Sequence, residues 1–503
     1  MTPHVAQVST RRWILFLSGI NLFILQFVMV REFTSILYGE EVVIILVTLA
    51  YFLGLSLGYA LSDRISPKVF FAFSLISFLL HWSLPVLPRV VTAYLYDIGL
   101  NGWGFVLLVL GWALLLSALY SIFLPLFIDE EPRDDGEGLS LPSAYALELS
   151  GAVAGIALIF TVGQAGFLYV MLVYLVSLTF ILHLLWRNKQ VTAALALFVV
   201  IYPFDFNGFD FPSTAYLYEK KHGFSKIEVM YSVNSPYQKV EVVRAADARG
   251  RMIYLNGLRN FDEQDLEALN VYLAGLPAEL QSKNGPIDVL VVGSGTMASV
   301  DHVYPYAREV TTVELDGAVA AAGMEFFPDY NHLADKKRWH LEVDDGKHFL
   351  MTHDKLYDLV VMDVPSPLVI QEAILHSEEF YRMVKSRLKP DGAIAVQLSG
   401  LLQRNDRSPA QISAALLRVY DQVFVVSSSW ADRGFAYAGD HLRFDMKDLQ
   451  AGVNRRERGQ ATLYSTEQVR DITAGVEPIS IDHLNTVLER GWERFVSRYG
   501  AKP

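Results

Sequence analysis

The sequence of 503 residues contains no cysteine and has few charged residues in its first 204 positions. The lack of cysteine excludes a disulfide framework, a thiolate nucleophile and a Cys-ligated zinc or iron–sulfur site. Basic residues are not in excess, since the net charge is −12, and this argues against a nucleic-acid partner. Positions 1–204 hold 9 Lys+Arg and 12 Asp+Glu, against 33 and 42 in the remainder. This asymmetry predicts a membrane-embedded part followed by a water-soluble part.

Long apolar runs fill the first part of the chain. Six of them approach the length of about 20 residues that a membrane-spanning helix needs. They occupy residues 13–30, 42–61, 69–87, 104–128, 144–162 and 166–186. A seventh run, 191–204, is shorter and has three interpretations: a span, a re-entrant segment or an interfacial helix. The first run is not expected to be a cleavable signal peptide, because no small-residue cleavage pattern follows it.

Basic residues between the runs predict the orientation. Seven fall on one side of the membrane and only Arg31 and Arg89 on the other, so the N-terminus is expected in the cytoplasm. The seven are Arg11, Arg12, Arg64, Lys68, Arg133, Arg187 and Lys189. Six spans leave the soluble part in the cytoplasm, and seven place it outside. Glu148 and Gln26 lie within apolar runs, where an interfacial position or an interhelical hydrogen bond is expected and a functional role is the alternative.

Residues from about 205 onward show the alternation of a soluble α/β protein. Short strands at 226–231, 238–244 and 252–255 predict a small β-rich subdomain, followed by a helix over 262–276 that Pro277 should end. Apolar strands that alternate with helices then predict a parallel, doubly wound, Rossmann-like sheet. These strands lie at 287–292, 309–315, 339–343, 359–363 and 393–398.

The expected organisation has four parts. A helical transmembrane domain covers 1–204, the β-rich subdomain 205–280, the Rossmann-like nucleotide-binding catalytic domain 281–440 and a helical tail 441–503. The tail should contain one helix capped near Ser465 and one over 482–498. The apolar stripe of the second helix should pack on the domain, with a membrane or homodimer contact as the alternative.

Candidate site residues follow the strands of the Rossmann-like domain. Gly293 and Gly295 fit a G-x-G-x-x-[GA] loop that opens a helix, and Glu314 ends the next strand, where a carboxylate binds the ribose hydroxyls of a nucleotide. Asp345-Gly346 follows the third strand and Asp363 ends the fourth. The structural alternatives are a plain turn for the glycines, a surface charge for Glu314 and Asp345, and a helix cap for Asp363.

Several segments together resemble the polyamine aminopropyltransferase family, the spermidine synthases, over about residues 225–440. They include Ser235-Pro236-Tyr237-Gln238-Lys239-Val240, Leu255-Asn256-Gly257, Val313-Glu314-Leu315-Asp316, Asp345-Gly346, Val361-Met362-Asp363, His376-Ser377-Glu378 and Leu388-Lys389-Pro390-Asp391-Gly392. A multi-span first half joined to such a domain is similar to membrane-bound bacterial members. The resemblance implies transfer of an aminopropyl group from decarboxylated S-adenosylmethionine to an amine, with release of methylthioadenosine.

The resemblance also implies roles for individual residues. Gln238, Glu314 and Asp345 would hold the adenosine part of the donor, with Gly293, Gly295 and Gly346 shaping that side. Asp363 would act on the acceptor amine, which is protonated near neutrality and must lose a proton before it attacks. The donor is a co-substrate, so no permanently bound cofactor and no metal are expected.

The acceptor side departs from the family pattern. Thr296 and Ser366 stand where the family has acidic residues, Asn270 falls in its Tyr-[His/Gln]-Glu segment, and a later acidic position is Ser399. A dication such as putrescine needs carboxylates to offset its desolvation. These departures predict a different acceptor, weaker polyamine binding or lost catalysis.

Two other functions remain open at the level of sequence. A methyltransferase that uses S-adenosylmethionine has the same sheet and glycine loop, and Thr296 would tolerate the carboxylate of that donor. A transporter or sensor whose soluble part binds a nucleoside or polyamine would explain the altered acceptor side together with Glu148 and Gln26. For the enzyme, an inner-membrane location with a cytoplasmic soluble part is expected, because its donor is made in the cytoplasm.

Overall fold

The structure is a computed structural model that describes residues 8–62, 64–121, 139–248, 250–403 and 407–500. The chain forms two compact units. The first consists of Met1–Ala248, Tyr254–Leu258 and Phe495–Pro503, and the second of Arg249–Ile253 and Arg259–Arg494. We call them the helical unit and the sheet unit. The short strands around residue 255 divide between the two.

The helical unit begins with eight helices. They are α1 (Val8–Leu37), α2 (Glu41–Ser62), α3 (Pro67–Trp82), α4 (Val86–Asp97), α5 (Trp103–Ser121), α6 (Leu141–Val162), α7 (Phe167–Trp186) and α8 (Lys189–His222). Six of the described helices are long and apolar enough to cross a membrane: α1, α2, α5, α6, α7 and α8. The helices α3 and α4 pass that test only together, and they are bent by 78° at their junction.

Two of the expected runs therefore differ from the helices that form. The third run, 69–87, is not one straight helix, because α3 ends at Trp82 before Pro85, which has no N–H to continue the hydrogen-bond ladder. The seventh run is part of the 34-residue helix α8, which extends beyond the expected domain boundary at 204. The end of the fourth run and Arg133 lie outside the described residues.

Small residues allow close helix packing in the helical unit. A Cβ on Gly151 of α6 would lie 2.0 Å from the Phe16 carbonyl of α1, and one on Gly54 of α2 would lie 2.3 Å from the Leu114 carbonyl of α5. The helix pairs α1–α6 and α2–α5 are held at backbone contact by these positions.

Arg89 is not a loop residue but a fully buried member of α4. Its Nε and Nη2 donate to the two carboxylate oxygens of Glu32 in α1, both at 2.9 Å, and its Nη1 donates to Asp210 Oδ1 in α8 at 2.6 Å. Desolvation of these charges is costly, so truncation of one member would leave the others buried and unpaired. The cluster ties three helices of the helical unit together.

A four-stranded sheet follows α8, in the order β1 (Ile227–Asn234), β2 (Lys239–Ala245), β3 (Arg251–Leu255) and β4 (Leu258–Asp262). The first three strands were expected with bounds within three residues of those observed, and the fourth was not expected. β1 and β2 pair antiparallel with an irregularity between Val229 and Tyr231.

The sheet unit is built on eight strands in the order β12-β10-β11-β9-β8-β5-β6-β7. They are β5 (Ile287–Gly293), β6 (Ala307–Glu314), β7 (Trp339–Val343), β8 (Tyr357–Asp363), β9 (Leu388–Gln397), β10 (Gln422–Ser428), β11 (Arg433–Gly439) and β12 (Ala461–Tyr464). The strands β5 to β9 are parallel, as the sequence predicted, and have the Rossmann-like order 3-2-1-4-5. The strands β10, β11 and β12 add antiparallel pairs.

Helices cover this sheet. They are α9 (Leu266–Asn270), α10 (Leu276–Gln281), α11 (Ala298–Val303), α12 (Gly317–Phe326), α13 (Pro328–Asn331), α14 (Gly346–Thr352), α15 (Ile370–Ile374), α16 (Glu378–Lys385), α17 (Arg407–Leu417), α18 (Met446–Arg456), α19 (Thr466–Ile472) and α20 (Asn485–Tyr499). Buried aliphatic residues of β5, β8 and β9 face both helical layers, which explains why those strands read as continuous apolar runs.

Pro277 does not end the helix before it. A π-helical turn, Val271–Gly275, joins α9 to α10, and Pro277 lies in the first turn of α10, where a missing N–H is tolerated. The tail also differs from the expected pair of helices, since β12 pairs with β10 in the main sheet. Ser465 caps α19 as expected, and Val487 of α20 lies in the core of the sheet unit.

Candidate active site

The carboxyl ends of β5, β6 and β8 meet at one edge of the parallel sheet. Gly293, the last residue of β5, pairs in register with Asp363, the last residue of β8. Glu314 ends the neighbouring strand β6. Parallel topology thus brings the expected glycine loop, ribose carboxylate and catalytic carboxylate together, at the place where open α/β sheets bind ligands.

The turn after β5 requires glycine at its first position. Gly293 has φ +86°, and a Cβ there would lie 2.3 Å from the carbonyl oxygen of Asp363. That carbonyl accepts a hydrogen bond of 3.0 Å from the N–H of Ser294. At Gly295, a Cβ would lie 3.0 Å from a methyl group of Val319 in α12. The loop therefore follows the neighbouring strand and helix closely.

Glu314 is buried, and its Oε1 accepts a hydrogen bond of 3.1 Å from the N–H of Asp316. Burial raises the pKa of Glu314 to about 7, opposed by the Asp316 N–H and increased by the charges of Asp316 and Asp363. A carboxylate with so few partners is suited to accept hydrogen bonds from two ribose hydroxyls.

Asp345 follows β7, is exposed and caps α14. Its Oδ1 accepts a hydrogen bond of 2.7 Å from the N–H of Lys347. Gly346 packs closely on β5, since a Cβ there would lie 2.9 Å from Val292 Cγ1. The N–H of Asp344 donates to the carbonyl of Glu314 at 3.1 Å, which joins this turn to the end of β6. Asp345 thus has a capping role, and its contact with a nucleotide stays a prediction.

Asp363 is buried and connected to two other polar side chains. Ser299 Oγ is a hydrogen-bond partner of Asp363 Oδ2 and lies 2.6 Å from Asn270 Oδ1. The amide nitrogen of Asn270, Nδ2, donates to the Leu266 carbonyl at 2.8 Å. Asn270, predicted to bind substrate, is therefore engaged with Ser299, and it can act on a substrate through that residue.

The proton count of this trio indicates the state of Asp363 before substrate binds. Ser299 has one hydroxyl proton but two neighbouring oxygen acceptors. All three groups are satisfied when a protonated Asp363 donates to Ser299 Oγ and Ser299 donates to Asn270 Oδ1. Burial raises the pKa of Asp363, whereas hydrogen bonds from Ser299 and Ser294 and the charge of Arg433 lower it.

Two of the acceptor-side positions bond within their own loops. Thr296 is buried, and its Oγ1 accepts a hydrogen bond of 3.4 Å from the N–H of Ala298. The carbonyl of Ser366 accepts from the N–H of Leu368 at 2.7 Å. Thr296, Ser366 and Ser399 are neutral, so these three positions do not supply the acids of the family pattern.

Gln238 belongs to the helical unit, in the turn between β1 and β2. Its N–H donates to Ser235 Oγ at 3.0 Å, and its carbonyl accepts from the N–H of Ser235 at 2.9 Å. In the same turn, the Pro236 carbonyl accepts a hydrogen bond of 2.5 Å from Arg31 Nη2. The role of Gln238 toward adenosine stays a prediction.

Three residues of the site were not singled out from the sequence. Gln397 Nε2 donates to the Val364 carbonyl at 2.7 Å, and His376 Nε2 lies 3.0 Å from the Pro365 carbonyl. Burial lowers the pKa of His376 to about 4, so the ring is neutral and donates from Nε2. Arg433 Nη1 donates to Gln397 Oε1 at 2.9 Å. The strand β11 that carries Arg433 shows no distinctive sequence signal, whereas His376 lies within one of the quoted motifs.

The sheet unit matches known proteins. Residues 268–421 match the Spermine/spermidine synthase domain. The polyamine aminopropyltransferase of Leptospira biflexa is 31% identical over 178 residues, which are 35% of this chain and 62% of that protein. Polyamine aminopropyltransferase 2 of Pseudomonas aeruginosa is 29% identical over 239 residues, which are 45% and 68% of the two chains. The chain thus spans less than two thirds of the length of the Leptospira relative.

Solved structures of this type also align with the chain. The crystal structure of spermidine synthase from Thermotoga maritima aligns with a TM-score of 0.39 and 19% identity, over 53% of this chain and 89% of that one. A structure described as a probable spermidine synthase from Corynebacterium glutamicum aligns with a TM-score of 0.40 and 18% identity, over 50% and 96%.

Proposed function

We propose that the sheet unit is an aminopropyltransferase of the spermidine synthase family, carried by a membrane-anchored chain. The donor is decarboxylated S-adenosylmethionine, and the acceptor is an amine other than putrescine. The observation that supports this most directly is the convergence of Gly293, Glu314 and Asp363 at one sheet edge, within the segment that matches the synthase domain.

The reaction is a displacement at the carbon next to a sulfonium. The acceptor nitrogen forms a new N–C bond to the aminopropyl group, the C–S bond breaks, and sulfur takes the electron pair to give neutral methylthioadenosine. The amine must be unprotonated at nitrogen to attack, so Asp363 accepts its proton. Because the sulfonium is already an activated leaving group, the protein chiefly aligns the two substrates and excludes water.

Asp363 must be ionised for this role, and burial opposes its ionisation by raising its pKa. Two positive charges arrive with the substrates, one on the sulfonium and one on the ammonium. An adjacent positive charge favours the carboxylate and lowers its pKa. Substrate binding is therefore expected to release the proton of Asp363, so that the base is formed only in the ternary complex.

The acceptor is proposed to differ from putrescine because its expected charge partners are missing. Thr296, Ser366 and Ser399 are neutral, and the charged side chain that Gln397 contacts at this edge is the cation Arg433. A dicationic acceptor would have Asp363 as its counter-ion but would also face Arg433. Repulsion and incomplete pairing of a desolvated charge both weaken binding.

We further propose that the helical unit crosses the inner membrane several times and that the sheet unit lies in the cytoplasm. The lengths and hydropathy of the helices and the bias of basic residues toward one side support this location. The donor is a cytoplasmic metabolite, which supports the orientation of the sheet unit. Lipids are then the natural surroundings of the apolar helix surfaces.

Product analysis with the purified full-length chain tests the activity. The chain is incubated with decarboxylated S-adenosylmethionine and a panel of amines, and products are identified by mass spectrometry. We expect methylthioadenosine and one amine enlarged by an aminopropyl group. The Asp363→Asn variant should be slower by about 10²- to 10⁴-fold, since a general base contributes about that much.

Glu325→Gln is the matched control, because it removes an exposed carboxylate of the same unit. Its rate should equal that of the unaltered chain. Methyl transfer from S-adenosylmethionine, with no product from the decarboxylated donor, would replace the proposal with a methyltransferase. Unchanged turnover in Asp363→Asn would remove Asp363 from the mechanism.

A further inference from the structure

Arg433 places a cation at the edge of the sheet that carries the candidate active site. It is the first residue of β11, which runs antiparallel to β9. The amino end of β11 therefore lies at the same edge as the carboxyl ends of β5, β6, β8 and β9. Phe435 pairs in register with Gln397, the last residue of β9, which fixes Arg433 next to that end.

The guanidinium group of Arg433 is largely buried but has few hydrogen-bond acceptors and no close carboxylate among the described residues. One of its five N–H groups donates to a described residue, from Nη1 to Gln397 Oε1 at 2.9 Å. Within the described ranges, no carboxylate oxygen lies within 4.0 Å of it. Asp265 and Asp432 act on it electrostatically, but both are exposed; Asp363 also acts on it and is buried. A partly desolvated guanidinium with free donors is costly unless an anion pairs with it.

The connection from Arg433 to the reacting centre is short. Gln397, which accepts from Arg433, donates from Nε2 to the carbonyl of Val364, the residue after Asp363. The charge of Arg433 lowers the pKa of Asp363, against the raising effect of burial. The site thus holds one carboxylate and one guanidinium close together, whereas the three positions expected to be acidic are neutral.

We infer that Arg433 binds the carboxylate of a substrate, so that the site takes a molecule with an amine near Asp363 and a carboxylate near Arg433. A planar guanidinium pairs with a carboxylate through two parallel hydrogen bonds, which matches its free donors. Because the proposed donor is decarboxylated, the carboxylate is expected on the acceptor, as in an amino acid; a carboxylate on the donor, as in S-adenosylmethionine itself, would replace the proposed donor. The inference rests on the proposed transferase function of the same site.

Pairs of probes that differ only in a carboxylate test this. S-adenosylmethionine is compared with its decarboxylated form, and ornithine with putrescine, by titration calorimetry on the full-length chain in detergent. We expect the carboxylated member of one pair to bind about tenfold or more tightly. Arg433→Gln should abolish that preference while changing the Kd of the other member less than about threefold. Arg433→Lys should keep part of the preference, because it keeps charge without the planar fork.

Arg382→Gln serves as control, because Arg382 is exposed and pairs with Glu378 on α16. Its preference should match that of the unaltered chain. Loss of preference in the donor pair assigns the carboxylate to the donor, and loss in the acceptor pair assigns it to the acceptor. A chain that prefers neither carboxylated probe, or an Arg433→Gln variant that keeps the preference, overturns the inference.

Product analysis separates this inference from the proposed function. Efficient transfer from the decarboxylated donor to putrescine, unchanged in Arg433→Gln, would uphold the aminopropyl transfer but reject both the altered acceptor and the carboxylate site. An Arg433-dependent preference without any alkyl transfer would uphold the carboxylate site and reject the transferase.

Discussion

Glu314 and Asp363 are two carboxyl groups at one sheet edge, and burial raises the pKa of each. Their surroundings differ. Glu314 accepts one backbone hydrogen bond and is free to receive ribose hydroxyls, whereas Asp363 is held by Ser299, which also contacts Asn270. The first arrangement suits binding and the second suits proton transfer. The carboxyl group therefore suits two different purposes here, because the neighbours of Glu314 and Asp363 differ.

The raised pKa of Glu314, about 7, predicts a pH-dependent affinity for methylthioadenosine. Ribose hydroxyls donate best to an ionised carboxylate, so binding lowers the pKa and releases a proton. Affinity should rise with pH up to about 7, by at most about tenfold per pH unit, and level off above. Titration calorimetry between pH 5.5 and 8.5 measures this.

Glu314→Gln is the control for this dependence. The amide keeps one acceptor but cannot ionise, so affinity at pH 8 should fall by roughly 10- to 100-fold and the slope below pH 7 should vanish. A variant with an unchanged slope would show that another group titrates. Methylthioadenosine carries neither an alkylammonium nor a sulfonium charge, which keeps the contribution of Asp363 small.

Close contacts between helices and strands determine where these residues lie. The turn from β5 follows β8 so closely that the Gly293 and Asp363 backbones are in contact. The loop after β8 is held by Gln397 of β9 and by His376 before α16. In the helical unit, Arg89 connects α4 to Glu32 of α1 and Asp210 of α8. Each of these contacts joins elements that are distant in sequence.

Gly293→Ala should damage the junction of β5 and β8. Positive φ disfavours alanine, and its Cβ would lie 2.3 Å from the Asp363 carbonyl. Together, strain and overpacking should cost about 2–5 kcal/mol in unfolding free energy. Thermal unfolding of the full chain in detergent and nucleoside binding both report the effect.

Gly285→Ala is the matched control for this change. Gly285 also has positive φ, +119°, but no described atom lies within 4 Å of a Cβ built there. It should cost only the backbone strain, about 1–2 kcal/mol, and leave nucleoside affinity unchanged. Equal effects of both variants would show that the close approach at Gly293 is unimportant.

The whole molecule combines a helical unit suited to a membrane with a sheet unit that matches a transferase domain. The orientation depends on whether the bent pair α3–α4 and the helix α8 each cross the membrane. Basic residues on one side favour a crossing by α3–α4. The interfacial α8 and the cytoplasmic sheet unit that we propose rest instead on the cytoplasmic origin of the donor.

Single cysteines test this topology on a background that has none. Asn101→Cys should react with a membrane-impermeant maleimide in intact cells, whereas Arg187→Cys and Lys337→Cys should react only after permeabilisation. All three positions are exposed. Labelling of Lys337→Cys in intact cells would contradict the proposed location. Protection of Asn101→Cys and Lys337→Cys with labelling of Arg187→Cys would show that α8 crosses and α3–α4 does not.

The sequence by itself determined the division into an apolar and a soluble part, the parallel, doubly wound sheet and the placement of Gly293, Glu314 and Asp363 at strand ends. These features depend on local periodicity and on parallel topology, which a linear pattern carries. Only the tertiary structure decided the bend between α3 and α4, the path through Pro277 and the antiparallel strand with Arg433. Those depend on contacts between distant residues, such as Gln397 with Arg433, and no local signal encodes which distant partners meet.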